Sequence, residues 1–343
     1  MRKLSFLNRI VFYLNFIFSV SLLIACIVPY TDSASLAFFS LAVPLLVLVN
    51  FLFVVYWVLQ RKFLVVIPIA VLVYSYVTLG SFVKLRSTST KADENISLRL
   101  MSFNSQGYRG KANDWERSVG DSIAGFINEE RPDIICFQEF DYKKIRSDDF
   151  EAYPFSFVDF EFGKASETVI QAIYSKYKIV DQGLLHFPYS DNSAVYADII
   201  YKTDTLRIYN LHLQSLRIRP GSIKLERSDK LLARLRKSFQ KQQQQSEIVR
   251  NHMANSPYKN IVVGDFNNNQ FSSVYFNLKR DLKDTFIEAG SGYGGTINFW
   301  KFPFRIDFIL VDPSFEVVGH RNYDIGLSDH DPIMASIKIP FNK

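Results

Sequence analysis

Three short clusters near the C-terminal end, Gly264-Asp265-Phe266-Asn267, Arg305-Ile306-Asp307 and Ser328-Asp329-His330, each set a carboxylate beside a short apolar run. Ile261-Val262-Val263 precedes the first, Phe308 to Val311 follows the second, and Pro332 to Ala335 follows the third. Strands that bring acids, an amide and an imidazole to one edge suit metal-assisted attack of water on a phosphate ester. The acids hold a hard cation, the imidazole takes a proton from water, and the amide donates to phosphoryl oxygens.

Further upstream, Asn104 and Gln138-Glu139 close two other apolar runs, and Asn210-Leu211-His212-Leu213 puts Asn210 and His212 on one face of a strand, since side chains alternate. Each of these has a plain structural reading. Glu139 alone reads equally as a solvent-facing strand end, and a lone His212 is more often structural. The cluster around Asp265 reads as a turn, and the one around Asp329 as a cap or loop. Asp307, between Ile306 and Phe308, is harder to dismiss. A carboxylate buried there needs a partner, and His330 is the candidate.

The elements that must position these groups follow from periodicity. Strands are expected at Ile96–Asn104, Ile134–Phe137, Val169–Tyr174, Ala194–Tyr201, Leu206–Leu213, Lys259–Val263, Phe304–Val311 and Ile333–Ile339. A helix is expected over Asp114–Glu130, with Trp115, Val119, Ile123, Phe126 and Ile127 on one face and Pro132 beyond it. Ser228–Met253 reads as a long polar helix, with Gln242 to Gln245 as its solvated surface. Many strands without strict βαβ repeats point to a mostly antiparallel sandwich flanked by helices.

The first 83 residues are of a different kind. Uncharged stretches run from Ile10 to Thr31, Ser33 to Gln60 and Phe63 to Val83. At about 1.5 Å per residue, each is long enough for a bilayer core of roughly 30 Å. The expected organisation is a membrane anchor over 1–86 with three transmembrane helices (10–30, 36–60 and 63–83), a linker at 87–95 and a catalytic domain over 96–343. Arg2, Lys3 and Arg9 precede the first stretch and Arg61-Lys62 separate the second from the third, while the first connection carries only Asp32. The positive-inside rule then places the catalytic domain outside the cytoplasm, as in an integral protein of a bacterial inner membrane with a periplasmic or extracellular domain. Leu23 to Cys26 resembles a lipoprotein cleavage box, but apolar residues continue beyond it.

Residues 1–90 hold seven Lys and Arg against Asp32 alone, which accounts for the whole formal charge of +6. The basic balance is therefore a topology signal and not a nucleic-acid footprint. Within the neutral remainder, Arg217 to Arg250 is strongly basic. That segment reads as a polyanion contact or as a solvated helix face. Cys26 and Cys136 lie in different units and form no disulfide framework.

Taken in order, the site residues resemble the endonuclease/exonuclease/phosphatase superfamily, with its pancreatic-deoxyribonuclease-like fold. The pattern comprises Asn104, Gln138-Glu139, Asn210-Leu211-His212-Leu213, Gly264 to Asn267, Arg305 to Ile309 and Ser328 to His330. It departs at Val169–Ile179, where the glycine and proline common in the family are missing. The resemblance implies an α+β fold, a two-sheet α/β sandwich, here preceded by three transmembrane helices. It implies Glu139 as the central metal ligand, with Asn104 and Asp329 close to a Mg²⁺ or Mn²⁺ ion. It implies His330 as general base or phosphate-facing imidazole, Asp307 as its orienting carboxylate and Asp265 as the group that positions water. Asn267 would donate to a phosphoryl oxygen, and His212 would face the phosphate and protonate the leaving group. The partners implied are a phosphate-ester substrate, whether nucleic acid or phospholipid, and the bilayer. No protein partner is inferred. Phosphomonoester hydrolysis and a non-catalytic phosphate-binding module are the alternatives.

Overall fold

A computed structural model describes residues 5–84, 97–108, 118–141, 149–159, 170–218, 227–299 and 302–340. The linker expected at 87–95 lies outside these residues, as does the expected helix start with Trp115.

The N-terminal unit is a bundle of three apolar helices: α1 (Phe6–Ile27), α2 (Phe38–Leu59) and α3 (Val66–Leu79), the last entered through a 3₁₀ turn at Phe63–Val65. α1 and α2 are long and apolar enough to cross a membrane, and the third apolar helix is shorter. Expected to reach Val83, it stops at Leu79 because Gly80 takes a left-handed conformation (φ 84°). The bundle is inside out relative to a soluble core. Phe51, Leu59, Phe63 and Val77 are exposed, whereas Asn15, Ser19 and Asn50 are buried between helices. Trp57 Nε1 donates to Asn15 Oδ1 at 3.1 Å, Asn15 Nδ2 to Ser19 Oγ at 3.0 Å, and Ser19 Oγ to Asn50 Oδ1 at 2.8 Å. Hydrogen bonds of this kind hold helices together where apolar contact alone has no preference for them over a hydrocarbon surround.

The second unit follows as β1 (Leu98–Asn104), α4 (Ser118–Glu130), β2 (Ile134–Phe140), β3 (Phe155–Val158), β4 (Ile170–Ser175), β5 (Ile179–His186), β6 (Ser193–Tyr201) and β7 (Asp204–His212). It continues with α5 (Ser228–Ala254), β8 (Lys259–Asp265), α6 (Ser273–Lys279), β9 (Lys283–Asp284) and α7 (Thr285–Ala289). It ends with β10 (Ile297–Phe299), β11 (Phe302–Phe304), β12 (Asp307–Val311), β13 (Glu316–Asn322) and β14 (Ile333–Lys338). Two six-stranded sheets result, ordered β13-β14-β1-β2-β4-β3 and β5-β6-β7-β8-β12-β9, beside a β10-β11 hairpin. β1 with β2 and β7 with β8 are parallel, so the sheets are mixed.

Alternation explains the sandwich. Leu98 and Leu100 of β1 enter the core between the sheets with Ile134, Ile208 and Val263, while Met101 and Phe103 face α4 through Ile123 and Ile127. With both faces covered, the strand is apolar almost throughout. The single strand expected over Phe304–Val311 is split. Phe302–Phe304 belongs to the hairpin, Arg305 and Ile306 carry no strand pairing, and β12 begins at Asp307.

The two units meet at the bundle end where α1 finishes, α2 begins and α3 exits. Phe271 is buried among Leu22, Ala25, Val43 and Leu79, and Phe38 packs edge-on against Phe239 at 5.3 Å. Lys84 and Gly292 exchange two backbone hydrogen bonds of 2.8 Å. Arg9, Arg61 and Lys62 lie on the far ends of the helices.

Candidate active site

Register brings three of the expected residues onto one sheet edge. His212 ends β7 and pairs with Asp265, which ends β8, and Asp265 pairs with Asp307, which starts the antiparallel β12. From the other sheet, Asn104 ends β1 beside Gln138, and Glu139 follows on β2. The β2–β4 register slips between Phe137 and Phe140, leaving Glu139 bulged with φ 49°. A left-handed glutamate is disfavoured, and a bulge of this kind re-aims a side chain. Ser105 Oγ donates to the Glu139 carbonyl at 3.0 Å and so satisfies the bulged backbone. Gly264 (φ 135°) has no alternative residue. A Cβ there would lie 2.1 Å from the Leu211 carbonyl oxygen.

The side chains converge. Asn104 Nδ2 donates to Asp265 Oδ2 at 3.1 Å and to Glu139 Oε1 at 3.4 Å. His212 Nε2 lies 3.7 Å from each of those two carboxylate oxygens. His330 Nδ1 is bonded to Asp307 Oδ2 at 2.9 Å, which gives Asp307 the partner its burial demands, and His330 Nε2 faces Asp265 Oδ2 across 3.8 Å. One water or phosphoryl oxygen beside the pair, on the cleft side, can reach both atoms. Asn267 lines the same cleft. Its backbone N–H donates to Asp265 Oδ1 at 2.7 Å, and its amide donates to the Leu213 carbonyl at 2.9 Å and to Asp265 Oδ2 at 3.2 Å. Asp329 stands exposed on the wall, its Oδ1 3.3 Å from Ser328 Oγ, whose hydroxyl donates to the Asn104 carbonyl at 2.8 Å.

Asn210 is placed differently. Its amide donates to the carbonyls of Phe137 and Ala172, and its Oδ1 accepts from Gln138 Nε2 at 2.7 Å. It ties the two sheets together and does not enter the cleft.

The electrostatics describe a surplus of buried negative charge. Burial pushes the Asp265 carboxyl up to about 8, against the pull of His330. Burial also opposes charge on His330, but the Asp307 and Asp265 carboxylates outweigh it and hold the imidazole well above its ordinary value. His212 is held below its ordinary value by burial. Asp265, Asp307 and His330 lie close enough to hold a metal ion. The bond between Asp307 and His330 commits those two to each other, so Asp265 and Glu139 are the carboxylates left to face a cation. Hard oxygen donors around an uncompensated charge fit a divalent ion of the Mg²⁺ type.

Several residues that shape the site were not foreseen from sequence. The Gln242–Gln245 run, expected to be solvated, is partly core, with Gln242 and Gln245 buried. Gln242 Nε2 donates to the carbonyls of Gln214 (2.7 Å) and Asn267 (3.0 Å), and its Oε1 accepts from Asn268 Nδ2 at 2.8 Å. A polar run on a helix gives no sign of such buried partners. The strand carrying Asp307 is fixed by Arg305, which is buried, bonded to Asp284 Oδ2 at 2.7 Å, and stacked over Phe308 and Phe286. Leu41 of α2 lines the cleft from the N-terminal unit.

A profile described as Endonuclease/Exonuclease/phosphatase family matches residues 101–330. A second, described as Domain of unknown function (DUF8431), matches residues 8–82. No curated protein matches the sequence. Among solved structures, D. rerio TDP2 humanized by 14 mutations superposes with a TM-score of 0.54 at 17% identity, covering 71% of this chain and 99% of that one. D. rerio TDP2 complexed with single strand DNA product gives 0.54 at 16% identity, with 71% and 99% covered. An endonuclease/exonuclease/phosphatase family protein from Bacteroides thetaiotaomicron gives 0.53 at 20% identity, with 71% and 96% covered. At these identities the superpositions show a shared fold.

Proposed function

The chain belongs to the endonuclease/exonuclease/phosphatase family, a family of phosphoester hydrolases, and from that premise we propose that it is a divalent-metal-dependent phosphodiesterase held outside the cytoplasm by its N-terminal helices. The observation that carries this reading is the convergence of Glu139, Asp265, His212 and the Asp307–His330 pair on one cleft.

The geometry supports the following roles. Asp265 orients a water for in-line attack on phosphorus. His330 would take its proton at Nε2 once positive charge beside Asp265 offsets the carboxylates that otherwise keep the ring protonated, while Asp307 holds the ring through Nδ1 and stabilises the imidazolium that forms. His212 donates to the phosphoryl oxygens and relays a solvent proton to the leaving alcohol, and Asn267 joins it by turning an amide hydrogen from Asp265 to the phosphoryl group. Glu139 and Asn104, with Asp329 on the wall, are the groups that would hold the cation, which when bound supplies positive charge against the phosphoryl oxygens.

The location rests on charge. Arg9, Arg61 and Lys62 lie at the bundle end away from the catalytic domain, and Arg2 and Lys3 precede Arg9 in the sequence. Three crossings carry the domain to the far side, the third being Phe63–Leu79, close to the lower limit of about 17 residues for a span. Nucleic acid is a second reading of the substrate. It is supported by the basic character of Arg217 to Arg250 and by the single strand DNA product held by the D. rerio relative.

The test is hydrolysis of a chromogenic phosphodiester by the full chain in detergent with Mg²⁺, with and without His330→Ala. Loss of a positioned base costs about 10²–10⁴-fold. Equal turnover by the folded variant would remove the assignment.

A further inference from the structure

The catalytic cleft shares a wall with a helix of the membrane anchor. Leu41, in the first turns of α2, lines the same cleft of about 380 Å³ as Glu139, His212, Asp265 and His330. Leu41 also packs in one apolar cluster with Leu216 and Ile218, which line the cleft from the chain just beyond β7. Below Leu41, at helical spacing on the same face of α2, come Leu45 (55% exposed), Leu48 (48%), Leu52 (54%) and Val55 (41%). One apolar stripe therefore runs from the catalytic carboxylates down the outward face of a helix long enough to cross a membrane.

A second part of the lining is apolar as well. Ile297, Phe299 and Phe304 of the β10–β11 hairpin line the cleft. The hairpin starts five residues after Gly292, the residue that pairs with Lys84 at the exit of α3. Both walls thus stand at the bundle end on which the catalytic domain rests.

A nucleic-acid strand in this cleft would meet hydrocarbon from Leu41, Ile218 and the hairpin, with Arg217 as the one Lys or Arg side chain of the lining among the described residues. The volume is at the small end for a ligand pocket and admits a phosphate-ester headgroup, not the chains of a lipid. We propose that the substrate is a membrane lipid bearing a phosphate ester, drawn laterally from the leaflet in which α2 begins. Its hydrocarbon lies along Leu41, Leu45 and Leu48 while its phosphate reaches Asp265 and His330. This rests on the phosphoesterase reading and on the membrane location of α2. The reaction balances with water alone. The water oxygen bonds to phosphorus and its proton goes to His330. The P–O bond to the leaving alcohol breaks, that oxygen takes a proton that His212 relays from solvent water, and His330 returns its own proton to solvent.

The experiment uses the full chain in lipid nanodiscs with Mg²⁺ and two diesters that share the reacting bond and leaving group. These are hexadecyl p-nitrophenyl phosphate in the disc and methyl p-nitrophenyl phosphate in the buffer, with a single-stranded oligonucleotide as third substrate. The expected result is a preference of at least about tenfold for the hexadecyl ester over the other two. Leu41→Ser and, separately, Ile218→Ser should each lower the hexadecyl-to-methyl ratio about tenfold, as expected for losing several buried methylenes. Neither change alters how the hexadecyl ester partitions into the disc, so the ratio reports the cleft wall. Equal use of the methyl ester or the oligonucleotide, or a ratio unmoved in both folded variants, overturns lipid entry and leaves the phosphoesterase reading standing. Silence toward all three substrates overturns the phosphoesterase reading and the lipid proposal with it.

Discussion

Asn269, four residues beyond Asp265, donates its side-chain N–H to the backbone carbonyl of Ser40 at 2.9 Å, so the loop that follows Asp265 is bonded to the first turn of α2. Two residues further, Phe271 is fully buried in the end of the helix bundle, against Phe82 at 5.6 Å between ring centres. The N-terminal helices are thus a structural support of the loop beyond Asp265.

Removal of the helices should therefore harm the site directly. A chain shortened to residues 97–343 exposes Phe271, a loss of about 2 kcal/mol of apolar burial. In the full chain, Asn269→Ala leaves the Ser40 carbonyl without its partner and should cost about 1–3 kcal/mol. Thermal unfolding and turnover are the readouts. A shortened chain with the melting temperature and turnover of the full one would show that the loop stands alone.

The 2.9 Å bond between Asp307 and His330 makes a prediction about coupling. Asp307→Asn should approach His330→Ala in damage, at about 10²–10⁴-fold, because an imidazole in the wrong tautomer is a poor base. The double variant should be little worse than either single one. Additive losses in the double-mutant cycle would show that the two do not act as a unit.

Acid should destabilise the fold through His320, away from the cleft. Burial lowers its pKa from 6.5 to about 4, and its Nδ1 is paired with Thr285 Oγ1 at 2.8 Å. A histidine depressed in the folded state binds its proton first in the unfolded chain. Stability is therefore full above 6.5 and falls as pH drops from 6.5 toward 4. Between pH 7 and pH 5 the loss should be about 1–2 kcal/mol, read from denaturant midpoints. His320→Gln should flatten that slope, and an unchanged slope would assign the acid sensitivity elsewhere.

Reporter fusions after Lys343 test the location. The basic residues at the far end of the bundle predict signal from a reporter active only outside the cytoplasm. Signal from a reporter active only inside would reverse the topology and, with it, the inference that the substrate lies outside the cytoplasm.

Much of the site is legible in sequence because its residues sit at strand ends, where a polar residue interrupts an apolar run. Asn104, Glu139, His212, Asp265 and Asp307 all have that signature, and register within each sheet plus the packing of the two sheets brings them together. The order of the motifs also gives the two-sheet architecture. What escapes notice depends on contacts between distant segments. The burial of Gln242 is decided by backbone carbonyls on two loops, and Leu41 reads as one more apolar residue of a helix until the catalytic domain docks on it. The third helix ends early because a single glycine turns the chain, and hydropathy averaged along the sequence does not see it.

The central claim is that a divalent cation, held at Glu139, serves phosphoester hydrolysis in this cleft. It is tested most directly by stripping the full-length protein with a chelator and titrating Mg²⁺ back, with wild type and Glu139→Gln in parallel. Hydrolysis should vanish on stripping, return with added cation in the wild type, and stay at least about 10²-fold lower in the variant at the same Mg²⁺ concentration. Hydrolysis that survives stripping, or a Glu139→Gln protein that recovers along the same curve as the wild type, would contradict the account.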